Sequence, residues 1–156
     1  MLALGCDFVG FTLKKAVIEY LEKNQIPYKD YGTYSTENCD YPVYAFKAAK
    51  AVQSGECDLG LLFCGTGVGV SLAANKLHGI RCVCCSEPYS ALMARQHNDA
   101  NMLAMGTRVV GPELAKMIVG EFLKGAFLGG VHQKRVDMIT EIETEQILPQ
   151  SLLMQD

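Results

Sequence analysis

No stretch of this sequence is long and uncharged enough to span a membrane, which takes about 20 consecutive apolar residues. Basic clusters are also missing: the formal net charge is -3, and basic residues gather no further than pairs such as Lys134-Arg135. A polyanionic partner such as nucleic acid is therefore not expected. The amino terminus lacks the basic segment and cleavage site of a secretory signal and runs straight from Met1 into an apolar stretch, so the expected compartment is the cytoplasm. The seven cysteines are odd in number and lie mostly inside apolar runs, which argues against a disulfide framework. Cys82-Val83-Cys84-Cys85 has neither a second C-x-x-C nor a histidine pair at zinc spacing, and so gives no structural metal site. The cysteines read as buried free thiols, with Cys64 set apart by its position alone. There is no internal repeat, and the only linker-like piece is the polar stretch 32–42.

What the sequence does contain is the composition of one soluble globule, 49% hydrophobic and 20% charged over 156 residues, enough for a single domain over 1–156. Short apolar runs at 2–6, 28–31, 59–63, 80–85 and 102–105 predict five strands. Amphipathic stretches lie between them. Leu13, Val17, Ile18 and Leu21 share one helix face, as do Ala45, Ala48, Ala49 and Val52; further helices are expected after Gly69, from Pro88 to His97, and from Pro112. Strands alternating with helices predict an α/β fold, a three-layer sandwich about a mostly parallel five-stranded sheet. Beyond Gly129-Gly130 a helical tail over about 130–156 places Val136, Ile139 and Ile142 at every third residue, a stripe suited to a partner subunit or to its own sheet.

Open parallel sheets bind ligands beyond the carboxyl ends of their strands, so the residues just after each strand are the candidates for chemistry. Cys64-Gly65-Thr66-Gly67-Val68-Gly69 follows the third. Its alternate glycines let the backbone turn tightly and aim N–H groups at one point, which makes an anion site or simply a tight turn. The G-x-G-x-G spacing misses the dinucleotide fingerprint and no Gly-Lys-Ser/Thr follows, although Glu87 lies where a ribose-binding acid would. Cys64 stands at the mouth of the loop, where converging N–H dipoles favour a thiolate able to act as base or nucleophile. Thr66 adds a hydroxyl for a developing oxyanion, or a local cap. His97, closing a helix ahead of the last strand, reads as a general acid–base presented to the same sheet edge, or as a C-cap. Arg108 and Arg135 read as phosphate holders or solvated surface, and Asp7 as a ligand-facing carboxylate or the cap of the next helix.

In order along the chain, Gly5-Cys6-Asp7, Asp40-Tyr41-Pro42, Cys64-Gly65-Thr66-Gly67-Val68-Gly69, Ala73-Ala74-Asn75-Lys76 and Arg95-Gln96-His97-Asn98-Asp99-Ala100-Asn101 resemble the ribose-5-phosphate isomerase B family. That family also includes galactose-6-phosphate isomerase subunits. The likeness runs from Leu2 to about Glu143. It implies a Rossmann-like sheet and an aldose–ketose isomerisation of ribose 5-phosphate through an enediolate, without a cofactor, in a homodimer or dimer of dimers whose sites draw on two subunits. By resemblance Cys64 is the base, and Thr66 with the N–H groups of Gly65, Gly67, Val68 and Gly69 stabilises the enediolate. His97 opens the sugar ring, Asp7 and Asn98 contact hydroxyls, and Arg108 and Arg135 contact phosphate. The segment around His97 and Arg108 is expected to face the Cys64 loop of the other subunit. Two positions depart from the family: Phe8 stands where histidine is usual, and Val131 where arginine is. The competing functions are isomerisation of a hexose or tetrose phosphate, a catalytically silent sugar-phosphate-binding subunit, and a nicotinamide oxidoreductase using Glu87.

Overall fold

The computed structural model describes residues 1–146 and places a five-stranded, wholly parallel sheet between two layers of helix. In chain order the elements are β1 (Leu2–Cys6), α1 (Phe11–Lys23), β2 (Tyr28–Asp30), α2 (Tyr41–Gln53), β3 (Leu59–Cys64), α3 (Val68–Ala74), β4 (Cys82–Cys84), α4 (Pro88–Asn98), β5 (Met102–Gly106), α5 (Pro112–Lys124) and α6 (Val131–Glu145). All five expected strands are there, two of them shorter than their apolar runs. β4 starts at Cys82 rather than Ile80 because the N–H groups of Ile80 and Arg81 are already committed, to Leu77 O and to Asn101 Oδ1. β2 stops at Asp30, whose carboxylate accepts from Gly32 N at 2.9 Å and turns the chain. Among the described residues no helix is long and apolar enough to cross a membrane.

The strand order is β2-β1-β3-β5-β4, so the chain leaves β1 in one direction for β2 and returns to the other side of β1 for β3. The switch point lies between β1 and β3, and ligand-binding crevices of such sheets form there, at the carboxyl ends. Side chains alternate across the sheet as strand geometry requires. Leu61, Phe63, Leu103 and Met105 face α1, α4 and α5, with Leu13, Val17, Ala91, Ile118 and Phe122. Leu62, Cys64, Met102 and Ala104 face α2 and α3, with Ala45, Ala48, Ala49 and Val70. The small side chains of α2 let it approach the sheet closely, and Cys64 takes the face it does because it is two residues beyond Leu62.

One buried charge went unmarked in the sequence. Lys14 sits on the inner face of α1 with its side chain wholly buried, and its Nζ donates to both oxygens of Asp30, at 2.6 and 2.7 Å, and to Thr33 O at 2.7 Å. This knot ties the end of β2 to α1. Replacing Asp30 by alanine leaves a buried ammonium without its counter-charge, and the expected cost is about 3 kcal/mol of folding stability. Urea unfolding with an unchanged m-value measures it; Lys14→Met, which removes both charge and need, is expected to lose less.

Within the described residues the tail forms α6, and residues 147–156 of the expected tail lie outside them. Val136 is buried against the chain's own domain, whereas Ile139 and Ile142 are exposed, so only the first residue of the stripe is covered by its own sheet and helices.

Candidate active site

The loop after β3 is built around close backbone approaches. Gly67, the N-cap of α3, has φ of 81°, a left-handed conformation that favours glycine. An added Cβ at Gly106, the last residue of β5, would lie 2.4 Å from Thr66 backbone carbon, so only glycine lets the two strand ends meet. The crossing is held by Thr107 N donating to Cys64 O at 2.9 Å and Arg108 N to Gly65 O at 3.0 Å. Within this frame Gly67 N donates to Cys64 Sγ at 3.1 Å. Cys64, 5% exposed as a residue, lies at the end of a central strand beside the switch point.

Around it stand most of the predicted residues. Asp7 is buried after β1; its N donates to Phe63 O, and its Oδ1 accepts from Gly10 N at 2.7 Å, which closes the turn before α1, whereas the N-cap of α1, expected as one reading of Asp7, is Gly10. Phe8 is half-buried beside it. Thr66 is exposed and its Oγ1 accepts from Val68 N at 3.3 Å. Val68 and Gly69 open α3, with Val68 exposed. Arg108 corrects one expectation: its side chain lies beside Gly65 of its own chain, near enough that an added Cβ there would sit 3.8 Å from Nε. Parallel β5 delivers its end to the same edge as β3, so Arg108 belongs with its own Cys64.

His97, Asn98, Val131 and Arg135 are elsewhere, and the expectation that His97 shares the Cys64 edge fails for a single chain. Because α4 starts beyond the carboxyl end of β4 and runs back across the sheet, its last turn reaches the amino edge, ahead of β5. Cys64 pairs with Gly106 in register, and the strand from there back to Met102 spans about 13 Å before His97 is approached. His97 is firmly mounted. Just after it the Asp99 carboxylate accepts from Arg81 at 2.9 Å and from Arg95 at 3.1 Å, and Arg81 Nε also donates to Asn98 O at 3.1 Å. Val131 and Arg135 lie on exposed turns of α6 at this same edge, and Asn98 borders a groove of about 590 Å³ with Ile139, Ile142 and Glu143. The predicted residues thus fall into two groups at opposite edges of one sheet, two candidate half-sites.

Three further side chains at these half-sites had no role assigned from the sequence. Tyr41 lays its ring against Gly69, where an added Cβ would be 2.8 Å from the phenol carbon; the Asp-Tyr-Pro motif was its signal. Cys84 is the exposed cysteine, contrary to the expectation of a buried one, and its Sγ donates to Thr66 O at 3.6 Å. Its thiol is pushed above the ordinary range by burial and then by the charge of Cys64. His132 stacks on His97, a contact no local pattern announces. Burial also pushes up the thiols of Cys82, of Cys6 to about 12 and of Cys85 to about 11. Glu87 is spent as the N-cap of α4, accepting from Ser90 N at 2.9 Å, which also holds its carboxyl below the usual range; this removes the ribose-binding reading.

Fold and site together define a Rossmann-like α/β domain with a thiol in an N–H-lined turn at the topological switch point. The family described as Ribose/Galactose Isomerase matches residues 2–139, and the chain belongs to that family. It is 57% identical over 142 residues to ribose-5-phosphate isomerase B of Escherichia coli K12, covering 91% of this chain and 95% of that protein. Among solved structures it is similar to ribose-5-phosphate isomerase B of Clostridium thermocellum, with a TM-score of 0.91, 48% identity and coverage of 94% and 99%. It is also similar to ribose-5-phosphate isomerase B of Mycoplasma genitalium with bound ribulose-5-phosphate, with a TM-score of 0.86, 42% identity and coverage of 92% and 96%.

Proposed function

We propose that the chain is an aldose–ketose isomerase that interconverts ribose 5-phosphate and ribulose 5-phosphate. The observation that carries this reading is the near full-length likeness to ribose-5-phosphate isomerase B, with the Cys64 loop standing at the strand end where the fold binds ligands. In the proposed mechanism Cys64 removes the proton from the carbon beside the carbonyl and returns it to the neighbouring carbon. The enediolate charge rests on loop N–H groups and the Thr66 hydroxyl, which are fixed before the reaction begins. Asp7 and Asn98 hold hydroxyls, and Arg108 and Arg135 the phosphate. Purified protein incubated with ribose 5-phosphate alone tests the reading, beside tetrose and hexose phosphates. Turnover of none would make it a silent binding subunit.

The separation of the half-sites supports a homodimer in which the carboxyl edge of one chain meets the amino edge of another. Ile139 and Ile142, exposed beside Asn98, supply apolar surface for that contact. A single domain over 1–156 working in the cytoplasm on pentose phosphates fits the free thiols, which persist in reducing compartments.

Phe8 and Val131 give a specific expectation. Each withholds a charged hydrogen bond from the phosphate, a contact worth about 1.5 to 3 kcal/mol, or roughly one to two powers of ten in affinity. Val131 is 71% exposed, so an arginine there meets no packing obstacle, and it lies one helical turn before Arg135. Phe8→His with Val131→Arg is expected to lower KM for ribose 5-phosphate, and Arg135→Ala to raise it. An unchanged KM in the double variant would show that Phe8 and Val131 only pack at the subunit contact.

A further inference from the structure

His132 is used by no step above, yet it is the closest partner of the ring-opening candidate. Its imidazole lies face to face with that of His97, centroids 4.2 Å apart and planes 5° from parallel. Both rings stand on backbone that is held from several directions. On one side the carboxylate of Asp99 is clamped by Arg81 and Arg95. On the other, Leu128 N donates to Gln96 O at 3.0 Å, tying the α5–α6 connection to the residue just before His97, and His132 N donates to Gly129 O at 3.0 Å in the first turn of α6. A stack mounted this way restricts the rotation of His97 about its side-chain bonds and fixes the plane in which its nitrogens point.

We propose that His132 is the positioning residue of His97: its stacked ring holds the partner imidazole in the orientation needed to pass a proton to the oxygen of the closed sugar. This rests on the reading of His97 as the ring-opening group. Two imidazolium rings at this separation repel each other, so the stack favours a single proton between them. The ionisable groups acting on His132 are His97 across the stack, on α4, and Arg135 about one turn further along α6. Burial first, then His97 and Arg135, hold the His132 imidazole below the ordinary histidine range.

The test uses the full chain and two directions of the reaction. Ribose 5-phosphate is largely a closed ring, whereas ribulose 5-phosphate has its C5 hydroxyl occupied by phosphate and stays open. His132→Ala is expected to lower kcat from ribose 5-phosphate on the order of tenfold by loosening the geometry of proton transfer. Its velocity should also stop rising with enzyme concentration once spontaneous ring opening supplies the aldehyde. Turnover of ribulose 5-phosphate should change little, and His132→Phe, which keeps a stacking face, should recover most of the loss. In imidazole NMR titrations His132 should titrate below ordinary histidine and move up in His97→Asn. Equal losses in both directions, no loss, or a phenylalanine variant as poor as alanine would overturn the positioning role. His97→Asn measured in parallel separates the two ideas. If it also fails to distinguish closed from open substrate, the reading of His97 falls and this inference with it; if it distinguishes them and His132→Ala does not, only the inference falls.

Discussion

Cys64→Ala should lower kcat by about two to four powers of ten, the usual worth of a general acid–base in a proton transfer, while the protein stays folded. Cys64 is the proposed base, and the arginines and most of the loop N–H groups proposed to bind substrate make no bond to its sulfur, so KM should move little by comparison. The structural cost is modest. The side chain points into the small-residue core under α2 and α3, and its loss leaves a minor cavity and frees Gly67 N from its acceptor, together about 1 to 2 kcal/mol. Steady-state kinetics beside a melting curve decide the matter: wild-type-like turnover in a folded Cys64→Ala protein would end the proposed mechanism. Alkylation by iodoacetamide offers a second measurement, best made in a Cys84→Ser background because Cys84 is the more exposed thiol of the two. Protection by ribose 5-phosphate is then the expected outcome.

Mixing Cys64→Ala chains with His97→Asn chains should restore activity that neither has alone on ribose 5-phosphate. A site made from the carboxyl edge of one chain and the amino edge of its partner is damaged twice at one position of a mixed dimer and left whole at the other. Random pairing of equal amounts therefore gives roughly a quarter of the intact site number. Within one chain β5 spans about 13 Å between the edge that holds Cys64 and the edge that His97 approaches, so the two groups meet only across two chains. Mixed dimers isolated with two affinity tags and found inactive would place both groups in one subunit after all.

Much of this fold was legible residue by residue. The five apolar runs became the five strands, Pro88 and Pro112 opened helices, and Gly67 took the left-handed turn that its place after a strand suggested. These are local matters, decided by side-chain alternation, ring constraint and backbone freedom within a few residues. The errors were of another kind. Lys14 falls on an apolar helix face, and nothing near it in sequence tells that Asp30 and Thr33 O come round to receive its charge. Glu87 had the right spacing for a ribose and the right place for a cap, and Ser90 N claimed it. Cys84 alternates as a strand residue should, yet ends at an edge where its thiol is exposed.

By itself the sequence determined the layered α/β architecture, the turn that holds Cys64, and the membership of that turn in a chain of motifs resembling one isomerase family. Only the tertiary structure decided where those motifs stand relative to each other. Parallel strands all end at one edge, so Asp7, Cys64 and Arg108 gather there. A crossover helix must carry the chain back to the start of the next strand, and so His97, at the end of α4, is delivered to the opposite edge, where α6 brings His132 and Arg135 to meet it.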